Sequence, residues 1–267
     1  MAWVKLVITF LAILGSGPNT QPTELATASQ NGTTWFALGS GRNLTIYRLS
    51  GLHLRIDGRT RLPPGLTIRW SDWLSTSTLI PGSAPNFTYH SVGADTWWFA
   101  VAARLGGRWQ FVPFDDPAGH NRRWTFAYGI ARHLVHGVVD SCGCASGPTT
   151  EQWYRFSRGV FVATVPPGPR ADCTAGALTQ APRWPRLPYD PLVRSNDQPL
   201  RVSRFACAAG WALGTDGQKI GVYEQRGRHW LRIGVGSPRL VGSHVELAMP
   251  QSLLARLGRR IGVTFAD

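Results

Sequence analysis

Alternation of apolar and polar residues dominates this sequence and predicts a mainly β protein. Residues 44–48 and 52–56 alternate on either side of Leu49-Ser-Gly51, which is the pattern of a hairpin with a glycine turn. The same arrangement recurs around glycine turns at 105–107, 157–159 and 226–228. The four hairpins keep no fixed spacing, so we interpret them as a local motif repeated in antiparallel sheets, with an irregular propeller as the alternative.

Two predicted helices place the fold between all-β and α+β. Apolar residues recur at every fourth position in one mid-chain stretch and predict a helix there: Phe126, Ile130, Leu134 and Val138. Pro250 stands at a first-turn position and predicts a short helix near the end of the sequence. One side of that helix carries three leucines, and a glycine lies near its end: Leu253, Leu254, Leu257 and Gly258.

A proline-rich segment predicts the domain boundary. Residues 181–191 contain four prolines, which exclude a central strand and indicate an extended linker over 181–199. The linker separates a β-rich N-terminal domain, residues 29–180, from a small β domain with a C-terminal helix, residues 200–267. Residues 1–28 are predicted to hold a signal peptide and the start of the mature chain.

The charge of the chain changes which partners are expected. The 267 residues carry a formal net charge of +13, and all but two of the 28 basic residues are arginine. The 12 tryptophans exclude a disordered chain. The arginines are scattered rather than gathered in one patch, so nucleic acid is not an expected partner. Coding bias explains the composition equally well. The positive electrostatic field of such a chain nevertheless favours anionic surfaces, lipid headgroups or acidic wall polymers as partners.

The first residues have the pattern of a secretory signal. A basic start, Met1 to Lys5, precedes the nine-residue apolar run 6–14. A run of this length is too short to cross about 30 Å of hydrocarbon as a helix. Cleavage is expected near Gly17 or after Ala28, and no transmembrane span is expected beyond the signal peptide. The sequence therefore predicts a secreted or envelope-associated protein.

Four cysteines, an even number in an exported chain, predict disulfides. Cys142 and Cys144 are separated by Gly143 alone, so a bond between these two would be strained. We therefore expect one of them to pair with Cys173 and the other with Cys207.

The end of the chain carries a recognisable order of motifs. Residues 205–212 read Phe-Ala-Cys-Ala-Ala-Gly-Trp-Ala, followed by a strand-like segment at 220–223, a Gly-Arg-His-Trp turn at 227–230 and the helix after Pro250. This order resembles a small exported domain of actinobacterial proteins of unassigned function, over residues 200–267. The resemblance implies envelope location and β structure, and it implies no catalytic residue. Such domains typically carry a second cysteine near their end, and its absence after Cys207 favours pairing with the N-terminal domain.

Two combinations of residues suggest catalysis or metal binding. His133, His136, Cys142 and Cys144 have the residue types of a zinc or copper site. Metal binding requires reduced cysteines, which export argues against, so no metal and no cofactor are expected. Cys142 with His136 is also a candidate nucleophile–base pair.

A second candidate lies in the loop 115–120, which holds Asp115 and His120. The same Asp-Pro-Gly chemistry is what a turn requires, and we favour the turn. A glycosidase pair drawn from Asp95, Asp115 or Glu151 needs two carboxylates that converge, and spacing alone does not show convergence.

Tryptophans provide the remaining candidate site. Most of the 12 are expected in sheet cores, because an indole buries a large area. Trp70, Trp73 and Trp97 are the three we predict to face a ligand. The sequence thus favours an exported non-catalytic envelope protein that binds anionic or glycan components. A secreted hydrolase using Cys142/His136 or Asp115/His120, and an interaction module without a ligand site, are the alternatives.

Overall fold

The computed structural model describes most of the chain after residue 22. The described residues are 23–64, 66–68, 72–82, 84–92, 97–115, 126–131, 133–140, 149–184, 200–242 and 249–265. They form a mainly β protein, as predicted, with four antiparallel sheets of four strands each. Within every sheet, neighbours in space are neighbours in sequence, which is also the strand order of a propeller blade.

The sixteen described strands follow one another along the chain. The first sheet holds β1 (Thr23–Gln30), β2 (Thr33–Ser40), β3 (Asn43–Ser50) and β4 (His53–Arg61). The second holds β5 (Trp73–Ser77), β6 (Asn86–Val92), β7 (Trp97–Leu105) and β8 (Arg108–Val112). The third holds β9 (Phe126–Ala131), β10 (Leu134–Asp140), β11 (Thr149–Ser157) and β12 (Val160–Thr164). The fourth holds β13 (Arg204–Ala208), β14 (Trp211–Thr215), β15 (Ile220–Arg226) and β16 (His229–Gly236).

The four predicted hairpins are confirmed, and each is the last hairpin of its sheet: β3–β4, β7–β8, β11–β12 and β15–β16. Their turns contain glycines with positive φ, from +57° at Gly106 to +89° at Gly159. A residue with a Cβ is strained in that conformation, so glycine at these places fixes where each strand ends.

The predicted mid-chain helix is wrong. Residues 126–140 form the hairpin of β9 and β10, in which Ile130 pairs with Val135 and Phe126 with Val139. A spacing of four residues is also a multiple of the strand period of two, so the apolar pattern did not separate helix from strand. Valine, isoleucine and aromatic residues favour strands, and they decide this stretch. His133, with φ of +60°, makes the turn.

The described residues contain three helices: α1 (Ala175–Thr179), α2 (Pro238–Gly242) and α3 (Gln251–Ile261). Helix α3 is the one predicted after Pro250, and its three leucines are buried. It continues past Gly258 and ends at Gly262, which has a left-handed φ of +76°. None of the described helices is long and apolar enough to cross a bilayer.

The chain divides into two compact units between Val112 and Pro113. In the first unit the sheets pack on each other, with β1 against β5 and β4 against β8. Their shared core includes Ile46, Phe87 and Trp109. Gly58 permits this packing, because a Cβ there would lie 2.6 Å from Cδ1 of Trp109.

In the second unit, α3 packs on β13 and β14, while α1 packs on β16. The start of the predicted linker belongs to this packing: the Arg232 amide donates to the Pro182 carbonyl, and the Trp184 amide donates to the Arg232 carbonyl. Residues 185–199 lie outside the described part, so the domain boundary at 181–199 stays a prediction.

The disulfide pairing differs from the expectation. Cys173, just before α1, is bonded to Cys207 on β13, with 6.2 Å between the two Cα atoms. These two cysteines were expected to pair with Cys142 and Cys144 instead. The sequence could not show that the chain returns from α1 to β13, which brings positions 34 residues apart into contact. Cys142 and Cys144 lie outside the described residues.

Candidate functional site

Of the three tryptophans predicted to face a ligand, the structure describes the side chain of one, Trp73. Trp73, on β5, is 37% exposed. Its indole stacks on the imidazole of His90, on the neighbouring strand β6, with 5.0 Å between ring centres and 3° between the planes. Trp70 lies outside the described residues, and of Trp97 only the backbone in β7 is described. The structure therefore does not test whether the three tryptophans line one groove.

Hydroxyl groups surround the His90 ring. Its Nε2 lies 3.2 Å from the hydroxyl oxygens of both Ser75 and Thr88, which also hydrogen-bond to each other. The other edge of the ring meets Phe99 in a T-shaped contact at 4.9 Å. Burial lowers the pKa of His90 to about 4, so the imidazole is neutral near pH 7. Thr88 is fully buried and Ser75 and His90 are partly buried, so Trp73 is the exposed member of this group.

The two predicted catalytic pairs are only partly described. Asp115 is exposed, its amide donates to the Phe161 carbonyl and its carbonyl accepts from the Ser252 hydroxyl. Its proposed partner His120 lies outside the described residues, as does Cys142, the proposed partner of His136. His136 lies on β10 and not on a helix. No group of three or more histidine, cysteine or acidic residues suited to a metal ion occurs in the part of the chain described.

His136 instead belongs to an ionic network of four residues: His136, Glu151, Glu224 and Arg226. Nε2 of His136 lies 3.0 Å from Oε2 of Glu151, and its ring stacks on Trp153 at 4.0 Å. Arg226 donates to the Glu151 carboxylate, to the Thr149 carbonyl and, at 3.2 Å, to Oε2 of Glu224. The Glu151 amide donates to Oε1 of Glu224 at 2.7 Å. The network joins β11 to β15.

The pKa values of the two carboxyl groups in this network are shifted in opposite directions. The hydrogen bond from His136, with the charge of Arg226, lowers the pKa of Glu151 to about 2. Burial raises the pKa of Glu224 to about 8, although Arg226 opposes the rise. Such a split is found in acid–base enzymes. Glu224, however, is only 2% exposed and its carboxylate is bonded within the protein, so it does not reach a substrate. We therefore interpret the network as a structural link between the third and fourth sheets.

The raised pKa of Glu224 predicts how stability depends on pH. An unfolded glutamate titrates near 4.5 and the folded one near 8, so the folded protein holds a proton over this interval that the unfolded chain has lost. Stability is therefore expected to fall as pH rises from about 5 to 8. The variant Glu224→Gln cannot ionise at this position. Its free energy of unfolding, relative to that of wild type, should therefore increase as pH rises.

Denaturant unfolding of both proteins between about pH 5 and 9 measures this difference. Asp216→Asn is the matched control, because the hydrogen bonds from Lys219 and Gln218 lower the pKa of Asp216 and keep it ionised over that range. Its difference from wild type should stay constant. A constant difference for Glu224→Gln as well would show that Glu224 does not titrate in this range.

Three of the five large apolar side chains that are exposed among the described residues lie on the hairpin of β3 and β4. Leu52, in the turn, is 98% exposed, Ile56 is 49% exposed and Leu54 is 39% exposed. These three residues, called the hairpin tip from here on, make up most of the large apolar side chains that are exposed in the described chain. An apolar cluster of this kind marks an interaction surface more often than a scattered exposed leucine does.

Positive charge lies next to the hairpin tip. Arg59 and Arg61 pair with Thr45 and Asn43, which puts them on the same face of β4 as Leu54 and Ile56, away from the core of the unit. Arg55 is exposed on the opposite face. Asp57 is the one acidic residue of the hairpin, and it is neutralised: it accepts a hydrogen bond from Trp109 at 2.8 Å and lies 3.9 Å from Arg104.

The sequence signals for these sites were present but incomplete. A glutamate within the apolar strand Ile220–Arg226 indicates a buried carboxyl, although it does not name Arg226 and Glu151 as its partners. The apolar positions 52, 54 and 56 were recognised as a strand pattern, which predicts one buried face. Leu54 and Ile56 are exposed because they lie on the face of β4 that points away from the core.

Comparisons with protein-family models, with curated proteins and with solved structures find no match to this chain. The resemblance of residues 200–267 to an exported actinobacterial domain therefore stays a prediction that rests on its motif.

Proposed function

We propose that this chain is an exported, non-catalytic protein of the cell envelope that binds anionic lipid surfaces through the hairpin tip. The observation that carries the proposal is the apolar tip with arginines behind it on the same face. Leu52, Leu54 and Ile56 are exposed to solvent at a cost that only an apolar partner removes. Arg59 and Arg61 supply the charge that a lipid phosphate complements.

The spacing along β4 suits the depth of a membrane interface. A strand rises about 3.3 Å per residue, and the pairing with β3, which skips Asp57 at a bulge, puts Arg59 two steps beyond Ile56, roughly 7 Å along the strand. Apolar side chains of a peripheral protein enter about 5–10 Å into the boundary between headgroups and acyl chains. With the tip at that depth, the guanidinium groups of Arg59 and Arg61 lie at the level of the phosphates.

Charge decides which lipids are bound. Each basic side chain near an anionic membrane contributes about 1 kcal/mol, and the contribution is screened by salt. The net charge of +13 adds attraction at longer range. We therefore expect binding to anionic bilayers that weakens with salt, and weak binding to zwitterionic bilayers.

Export is part of this proposal. The predicted signal peptide and the Cys173–Cys207 disulfide both fit an oxidising compartment outside the cytosol. Cleavage after Ala28 would remove all of β1 except Ser29 and Gln30, together with its pairing to β2. Cleavage near Gly17 leaves the strand intact, so we propose that the earlier site is used.

Co-sedimentation with vesicles of phosphatidylglycerol and phosphatidylcholine tests the proposal. Wild type should pellet with the anionic vesicles in low salt, and Arg59→Gln/Arg61→Gln should bind roughly tenfold more weakly or worse, since two charges are lost. Leu52→Ser/Leu54→Ser should weaken binding to a similar extent. These side chains are exposed, so the folded state should keep its stability.

Two control variants test whether vesicle binding depends on the hairpin itself or on charge and apolar side chains elsewhere in the protein. Arg259→Gln/Arg260→Gln removes the same charge from the exposed side of α3, and Phe205→Ser removes an apolar side chain, 37% exposed, from β13. Both should bind vesicles as wild type does. The proposal fails if the α3 variant loses as much binding as the hairpin variant, or if wild type stays in the supernatant with anionic vesicles in low salt.

A further inference from the structure

A cleft in the second unit lies between α1 and the turn that joins β15 to β16. Its volume is about 250 Å³, enough for one small ring compound and too little for a drug-sized ligand. Its apolar lining consists of Trp230 and Ala181, which are buried, with the partly exposed Ala177 and the exposed Pro182. Polar side chains form its rim: Asp172, Gln180, Arg228 and His229. We call it the Trp230 cleft.

The walls of the Trp230 cleft are held in place by bonds that do not involve its polar rim groups. The buried indole of Trp230 donates from Nε1 to the Asp172 carbonyl at 2.8 Å. Asp172 is next to Cys173, whose disulfide to Cys207 ties this segment to β13. The Arg232 amide donates to the Pro182 carbonyl at 2.8 Å, which fixes the opposite wall. A site that is built before binding loses little conformational entropy when a ligand enters.

The rim combines a cation with hydrogen-bonding groups over an apolar floor. Arg228 and His229 are exposed on the turn, and the guanidinium of Arg228 is suited to bind a carboxylate with two parallel hydrogen bonds. Gln180 and Asp172 are exposed on the other side, and their oxygens accept hydrogen bonds from hydroxyl groups. The exposed ring of Pro182 offers apolar contact to the C–H groups of a sugar ring, while Trp230, only 5% exposed, closes the floor of the cleft.

We infer that the Trp230 cleft binds a carboxyl-bearing pyranose, the uronic-acid type of unit found in acidic glycans. The carboxylate pairs with Arg228, the ring hydroxyls donate to Gln180 and Asp172, and one face of the sugar lies against Pro182. A free amino acid also carries a carboxylate, but it lacks the ring and hydroxyl groups that the apolar wall and Gln180 match. The cleft and the hairpin tip share no residue, so this inference is independent of the membrane proposal.

Saturation-transfer NMR and titration calorimetry with the methyl glycoside of glucuronic acid test the inference on the full chain. Wild type should bind this probe at millimolar concentration, and methyl glucoside, which lacks the carboxylate, should bind roughly tenfold more weakly. Arg228→Gln should reduce affinity for the glucuronide about tenfold and leave the weak glucoside binding unchanged. Gln180→Ala should weaken both sugars, since it removes a hydroxyl partner.

Matched variants keep the result decisive. Arg259→Gln removes one arginine from α3 and should bind the glucuronide as wild type does, whereas a loss there would indicate unspecific attraction by net charge. Leu52→Ser/Leu54→Ser should also bind it normally, so failure of the membrane proposal does not affect this test. The inference is overturned if the glucuronide does not bind wild type, if Arg228→Gln binds it unchanged, or if glycine competes as well as the sugar.

Discussion

Replacing Cys173 and Cys207 with serine is expected to lower the free energy of unfolding of the second unit by about 3–4 kcal/mol. The disulfide closes a loop between residues 34 positions apart, and a cross-link of this span removes about that much chain entropy from the unfolded state. Because the cross-link acts on the unfolded chain, its removal should lower the free energy of unfolding of the whole second unit.

Denaturant unfolding of the double variant without reductant measures the loss, and its midpoint should lie below that of wild type. The variant also leaves Cys142 and Cys144 untouched, so the effect belongs to the Cys173–Cys207 bond alone. Adding reductant to wild type should lower its midpoint at least as far. Equal midpoints for oxidised wild type and the double variant would contradict this account of the second unit.

Trp211→Ala is expected to have a similarly large effect on the second unit. Trp211 lies at the start of β14, after the Gly210 turn, and its side chain is fully buried. Truncation of a buried tryptophan leaves a cavity that neighbouring groups fill only in part, which costs about 3–5 kcal/mol. Thermal unfolding followed by circular dichroism should show a lower midpoint.

Trp211→Phe is the informative control. The indole Nε1 of Trp211 has no hydrogen-bond partner within the described residues, so phenylalanine keeps most of the ring and removes an N–H whose burial is a cost. We expect Trp211→Phe to lose well under half of what Trp211→Ala loses. If both variants are equally destabilised, then the indole N–H, and not the area of the ring, holds this position.

The local parts of the fold could be predicted from sequence. A glycine turn between two alternating segments depends on neighbouring residues alone, so the hairpins ending all four sheets were identified. The same holds for α3, whose start is set by Pro250. The helix prediction for residues 126–140 failed because their apolar spacing fits a helix and a strand equally, while their β-branched and aromatic residues and the pairing of β10 with β11 favour the strand.

The non-local parts could not be predicted. The Cys173–Cys207 pairing depends on how the chain returns from α1 to β13. The raised pKa of Glu224 depends on burial beneath the start of β11, more than 70 residues earlier. The exposure of Leu54 and Ile56 depends on which face of β4 packs on the core, and this is set by pairing and packing with other strands. In each case the residue type was a signal, but its partner or its exposure was set by contacts distant in sequence.

Hydrogen exchange of the wild-type protein shows whether the hairpin tip enters an anionic bilayer. With phosphatidylglycerol vesicles present, backbone amides of residues 51–56 are predicted to exchange more slowly than in buffer or with phosphatidylcholine vesicles. Amides of the β7–β8 turn and of α3 should exchange at unchanged rates. Unchanged exchange at 51–56 in protein that has pelleted with the anionic vesicles would contradict the account.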